Sequence, residues 1–123
     1  MYTDATFTWP AVKSLQKHNG PHYLYYFNYL GEHSFQEVFA GERVLSGSAD
    51  LDVTIYISTI KNPFEIPPPT TSADLYLSNK LVKLIYNFAS MGEPTPSGSD
   101  FDWPQWNNEE QNFISIEKQR SNP

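Results

Sequence analysis

At 123 residues the chain has the length of a single domain. A formal charge of −6, a pI near 4.8 and eight scattered Lys and Arg exclude the basic stripe that nucleic acid or an anionic membrane surface requires. The absence of cysteine excludes a disulfide framework, a Cys nucleophile and a Cys-based zinc site.

Aromatic residues at 15% supply a globular core or a sticky surface. The start MYTDATFTWP has neither the basic residues nor the apolar run of a signal peptide. No apolar run reaches the ~18 residues of a membrane span, and no Asn-x-Ser/Thr site occurs. Residues 4–10 already read as structured sequence, which suggests a piece of something longer.

In chain order, residues 3–18 predict a helix. Thr3 or Asp4 would cap it, Phe7, Val12 and Leu15 would share a face, and Pro10 would sit in its early turns or split it. Asn19-Gly20-Pro21 stops it. HYLYYFNY (22–29) predicts a strand, apolar on both faces as in the middle of an α/β sheet. Residues 30–50 read as loop and short turns. VTIYISTI (53–60), rich in β-branched residues, predicts a second strand. NPFEIPPPT (62–70) is a proline-rich surface connection.

Residues 72–91 carry the clearest helix. Thr71 or Ser72 caps it and Asp74 lies in its first turn, where the helix dipole favours an anion. Leu77, Leu81, Leu84, Ile85, Phe88 and Met91 form a stripe that reads as core packing. Gly92 ends it, with Pro94 and Pro96 beyond. Residues 93–112 form a polar, tryptophan-containing loop, and FISIE (113–117) alternates like a short edge strand.

Catalytic motifs are scarce. GxSxG, Walker, GxGxxG and HExxH patterns are missing, and nothing marks a cofactor or metal site. His18 reads as a helix-end residue and His22 as a strand-edge residue. His33, in Gly31-Glu32-His33-Ser34-Phe35, is a base beside Glu32 or a hydrogen-bonded loop residue, and lacks an identifiable nucleophile partner. The pairs Asp50/Asp52, Asp100/Asp102 and Glu109/Glu110 are of the type that hydrolyses glycosides or binds hard metals. Without a supporting ligand pattern they read as solvated loop charge. Trp103-Pro104-Gln105-Trp106 is either an aromatic platform for carbohydrate or peptide, or a tail that buries its indoles.

The order of these elements resembles one family. GPHYLYYF, KLVKLIYNFASMGEPTP and WPQW, in this order and spacing, resemble the C-terminal part of type-B carboxylesterases and cholinesterases, insect members especially. The resemblance spans essentially the whole chain. It implies an α/β fold, namely the C-terminal part of an α/β-hydrolase, with residues 1–123 as an incomplete domain. It implies ester hydrolysis by a Ser, acid and His triad in that chain order, with the serine, the oxyanion glycines and the acid upstream of Met1. It also implies an extracellular setting.

In that family the histidine stands in a Gly-x-x-His-x-Asp-Asp/Glu-Leu loop before an apolar, Tyr-containing segment that is often helical. The matching window is Gly47, Ser48, Ala49 and Asp50. Alignment on Asp50-Leu51 puts the histidine position at Gly47 or Ser48; alignment on Tyr56 puts it at Asp50. No histidine stands at any of them, and His33 would need a large shift to substitute. The resemblance therefore points to a non-catalytic member whose parent binds protein, with the upstream part of the same domain as its first partner and a protein partner or homodimer as its second. The alternatives are a segment of an active ester hydrolase and an independent binding module built on Trp103 and Trp106. The last would unfold cooperatively when expressed alone; aggregation is the expected result.

Overall fold

The computed structural model describes residues 4–43, 47–58, 64 and 66–117. The expected cap Thr3, Ser46 at the head of the loop window, the end of the expected 53–60 strand (59 and 60), and 62, 63 and 65 of the proline-rich connection lie outside the described residues.

A π-helical turn, Asp4–Thr8, runs into helix α1, Trp9–Lys17. Pro10 sits in the first turn of α1, where its missing N–H costs no hydrogen bond. The expected helix is thus real, and Pro10 marks where its backbone changes pitch. Strand β1, Tyr25–Asn28, follows and pairs in parallel with β2, Ile114–Glu117, with Tyr25 opposite Ile114 and Asn28 opposite Glu117. Among the described residues three helices intervene: α2 (Phe35–Ala40), α3 (Asp52–Ile57) and α4 (Ser72–Met91).

Three expectations need correction. Residues 30–50 contain helix α2, which the loop reading missed. Ser34 caps it by accepting the Gln36 N–H at 3.1 Å, and Gly41 ends it in the left-handed region at φ 76°. The sequence signal was Ser34-Phe35-Gln36-Glu37, the S-x-x-E pattern of a capping box. The predicted strand at 53–60 is helix α3 over its first residues. Val53, Thr54 and Ile55 favour a strand locally, but a helical turn puts Asp52, Ile55 and Tyr56 together on the buried side. Strand β1 is not buried on both faces. Tyr25 and Tyr26 are exposed, because a two-stranded sheet with one paired edge cannot cover them.

Helix α4 has the expected bounds. The Thr71 hydroxyl accepts the Asp74 N–H at 3.2 Å, and Gly92 closes the helix at φ 76° with its N–H on the Phe88 carbonyl. Its stripe is only partly core. Leu81 and Leu84 are buried and Leu77 half-buried, whereas Ile85, Phe88 and Met91 are exposed. The core gathers Tyr29, Phe35, Ile55, Tyr56 and Leu81, with Phe27, Val53 and Ile116 packed against it. The tail after α4 folds back as the indole-burying reading expects. Trp103 and Trp106 are both buried; Trp103 Nε1 donates to the Leu24 carbonyl at 3.0 Å and the Trp106 N–H donates to the His22 carbonyl at 3.0 Å.

Candidate functional site

The loop expected to hold a catalytic base is tied down at successive residues. Gln36 Nε2 donates to the Gly47 carbonyl at 2.6 Å. Ser48 Oγ donates to the Phe27 carbonyl of β1 at 2.8 Å. The Ala49 N–H donates to Asp52 Oδ2 at 2.8 Å, and the Asp52 N–H returns a bond to the Ala49 carbonyl at 3.1 Å. A Cβ on Gly47 would meet Asn28 Oδ1 at 2.7 Å, so a larger residue there would have to displace the Asn28 side chain.

Asp52 is the hub. It is 1% exposed, and its carboxylate also accepts from Ser34 Oγ at 2.8 Å and from the Phe35 N–H at 2.8 Å. One side chain thereby joins the start of α2, the candidate loop and the start of α3. The reading of Asp50/Asp52 as a solvated pair fails for Asp52 and holds for Asp50, which is exposed. The two other pairs, Asp100/Asp102 and Glu109/Glu110, are exposed loop charge. Hydrogen bonds from Asn112 and then Asn107 hold the Glu110 carboxyl below its usual range. Leu51 takes up a left-handed backbone (φ 75°) between Asp50 and α3, a strained choice for a residue with a Cβ.

A second buried carboxylate supports the same region from below. Asp74, read from sequence only as a helix-dipole partner, is 3% exposed. It accepts from the Tyr29 hydroxyl at 2.7 Å and from the Glu32 N–H at 2.9 Å. The Tyr29 and Tyr56 rings meet edge to face at 5.6 Å. Burial first, then the hydrogen bond to Asp74 and its negative charge, push the Tyr29 phenol up to about 12. Burial and Asp74 raise Tyr56 also.

The Tyr29 contact predicts an alkaline effect. In the unfolded chain the phenol ionises near its ordinary value of 10.0, whereas the fold keeps the proton up to about 12. The stabilisation is complete below about pH 10 and is lost as pH climbs toward 12. Tyr29→Phe should cost about 1.5–3 kcal/mol at neutral pH, the worth of a hydrogen bond to a charged acceptor. It should also remove the part of the alkaline stability loss that denaturation across this window assigns to Tyr29. An unchanged alkaline profile in the variant would contradict the assignment.

The window residues lie beside an open cavity of about 560 Å³ between α1, β1 and the returning tail. Ser48, Ala49, Asp50 and Leu51 line it together with Phe27 and Trp106. Trp106 Nε1 is buried without a hydrogen-bond partner among the described residues. No imidazole lies on this wall. His33 stands on the approach to α2, half-buried, with Nε2 3.9 Å from a Glu32 carboxylate oxygen. Thr70 Oγ1 also donates to that carboxylate, and Arg43 donates to the Gly31 and Glu32 carbonyls, which fixes the segment from outside. Ser48, the one hydroxyl in the described window, is committed to the Phe27 carbonyl. Among the described residues no group of three His, Asp or Glu is arranged to hold a metal ion.

The match to the carboxylesterase family covers residues 1–122. Glutactin of Drosophila melanogaster is 30% identical over 120 residues, which is 93% of this chain and 11% of that protein. The crystal structure of juvenile hormone esterase from Manduca sexta, with OTFP covalently attached, is similar with a TM-score of 0.71 at 23% identity. That likeness covers 94% of this chain and 22% of the esterase chain. The chain thus spans about a tenth of that curated relative and about a fifth of that solved chain.

Proposed function

We propose that this chain, which belongs to the carboxylesterase family, forms the C-terminal segment of a type-B α/β-hydrolase domain whose parent works by binding protein and not by hydrolysing esters. The observation that carries the reading is the residue at the base position. The burial of Tyr56 and Asp52 on helix α3 supports the alignment on Tyr56, under which we read Asp50 as standing at the histidine position. The loop is still held by Gln36, Ser48 and Asp52, but its exposed tip carries a carboxylate, and carboxylates as a class are much weaker bases than imidazole. A framework built to present a group, without the group that moves the proton, suits a binding role.

The first partner is the upstream part of the same domain. Among the described residues β1 has one unpaired edge, Tyr25 and Tyr26 are exposed and the Trp106 Nε1 donor has no partner, all of which suit contacts supplied from outside residues 1–123. Beyond it we propose a protein partner or a second copy, with no nucleic acid. A secreted protein is the setting that the family resemblance suggests. Among the described residues no helix is long and apolar enough to cross a membrane.

The test is ester hydrolysis by the full-length protein with a small activated ester. The expected rate is that of the uncatalysed reaction, since loss of a triad histidine costs on the order of a millionfold. Turnover well above background would sink the binding reading. If that turnover then vanished in His33→Ala, the active-hydrolase alternative with His33 as base would stand in its place.

A further inference from the structure

The turn between α1 and β1, His18-Asn19-Gly20-Pro21-His22, brings two imidazoles together for which the proposed function has no use. Their ring centroids are 5.4 Å apart and the planes cross at 78°. Both backbones are anchored. The His18 N–H bonds to the Ser14 and Leu15 carbonyls at the end of α1, and the His22 carbonyl accepts the Trp106 N–H. His22 Nδ1 lies 2.6 Å from the Gly20 carbonyl oxygen. A carbonyl cannot donate, so this contact puts the proton on Nδ1 and leaves a lone pair on Nε2. A backbone carbonyl fixing the tautomer from behind is the arrangement that ligating histidines use.

A Cβ on Gly20 would press on His18 Nε2 at 2.8 Å, so the His18 ring would have to swing from its present place beside His22. His18 is exposed and its ring is free to turn about its side-chain bonds. With metal–nitrogen bonds of about 2.1 Å, two imidazoles on one tetrahedral ion have ring centres about 5 Å apart, close to the separation already present. The C-terminal end of α1 adds the negative pole of its helix, which favours a cation there.

We propose that His18 and His22 form a two-imidazole site for a first-row transition dication of the zinc, nickel or copper type, with water completing the coordination. Imidazole favours these ions over calcium and magnesium, which take oxygen ligands. Binding displaces a proton from whichever imidazole is protonated, so it weakens under acid conditions.

The experiment is calorimetric titration of the full-length protein with zinc chloride and, separately, magnesium chloride. Zinc should show one equivalent that His18→Ala removes or weakens by at least about tenfold. His33→Ala should leave it in place. Because His18 is exposed, its replacement does not endanger the fold. Gly20→Ala is the second variant. It should weaken zinc binding through the pressed His18 ring, whereas two histidines acting as a loose peptide would not respond. Absence of a saturable zinc equivalent, equal binding by His18→Ala, or magnesium binding of similar strength would overturn the site.

Discussion

Asp52→Ala should cost about 3–5 kcal/mol, because it strands two buried donors and a half-buried one at once. The Ser34 hydroxyl, the Phe35 N–H and the Ala49 N–H all converge on this carboxylate. Solvent cannot replace it, since the side chain is 1% exposed. The loss would show in urea denaturation of the protein. Hydrogen exchange would add a local signature, faster at Phe35 and Ala49 than at amides of α4. Asp52→Asn should fall between, since the amide keeps one acceptor but turns an NH₂ toward a backbone N–H. A loss below about 1 kcal/mol in the alanine variant would mean that the carboxylate does not join the three segments.

Gly31→Ala should be of similar severity for a steric reason. A Cβ there would lie 1.9 Å from the Tyr56 hydroxyl oxygen and 2.9 Å from Asp74 Oδ1. Tyr56 is 2% exposed and Asp74 is held by Tyr29 and Glu32, so neither can retreat cheaply. The expected cost exceeds about 3 kcal/mol. Combining it with Tyr56→Phe removes the closest oxygen and should recover part of the loss, leaving the Asp74 contact. A double-mutant cycle reads this directly. Additive losses in the double variant would show that position 31 does not press on Tyr56.

The legible parts of this fold were those fixed by short-range chemistry. Helix α4 was readable to its ends because Thr71, the leucine spacing and Gly92 all act within a turn or two of their targets. Helix α3 was not, because its sequence prefers a strand and only the burial of Asp52, Ile55 and Tyr56 decides otherwise. The two buried aspartates were hidden for the same reason. Asp74 looked like an ordinary first-turn acid, but its partners Tyr29 and Glu32 lie more than forty residues away. Asp52 looked like half of a surface pair, yet its donors sit at Ser34 and Phe35. That residues 47–50 hold no histidine is visible from sequence alone. That their loop remains clamped is not, since Gln36, Phe27 and Asp52 reach it from separate elements.

The pairing of β1 with β2 also bears on how the chain is made. Tyr25 finds its partner Ile114 only after all three intervening helices have been synthesised. During translation the edge of β1 that β2 will cover, on a strand rich in tyrosine and phenylalanine, therefore stays open until β2 is made. Such long-range pairing is slow to form and leaves a sticky strand exposed while it waits. Helix α4 carries its own cap at Thr71 and its own stop at Gly92, so its backbone can form before the sheet closes, while Asp74 and Leu81 wait for their distant partners. Folding of this segment should accordingly depend more on chaperone capacity than its 123 residues would suggest.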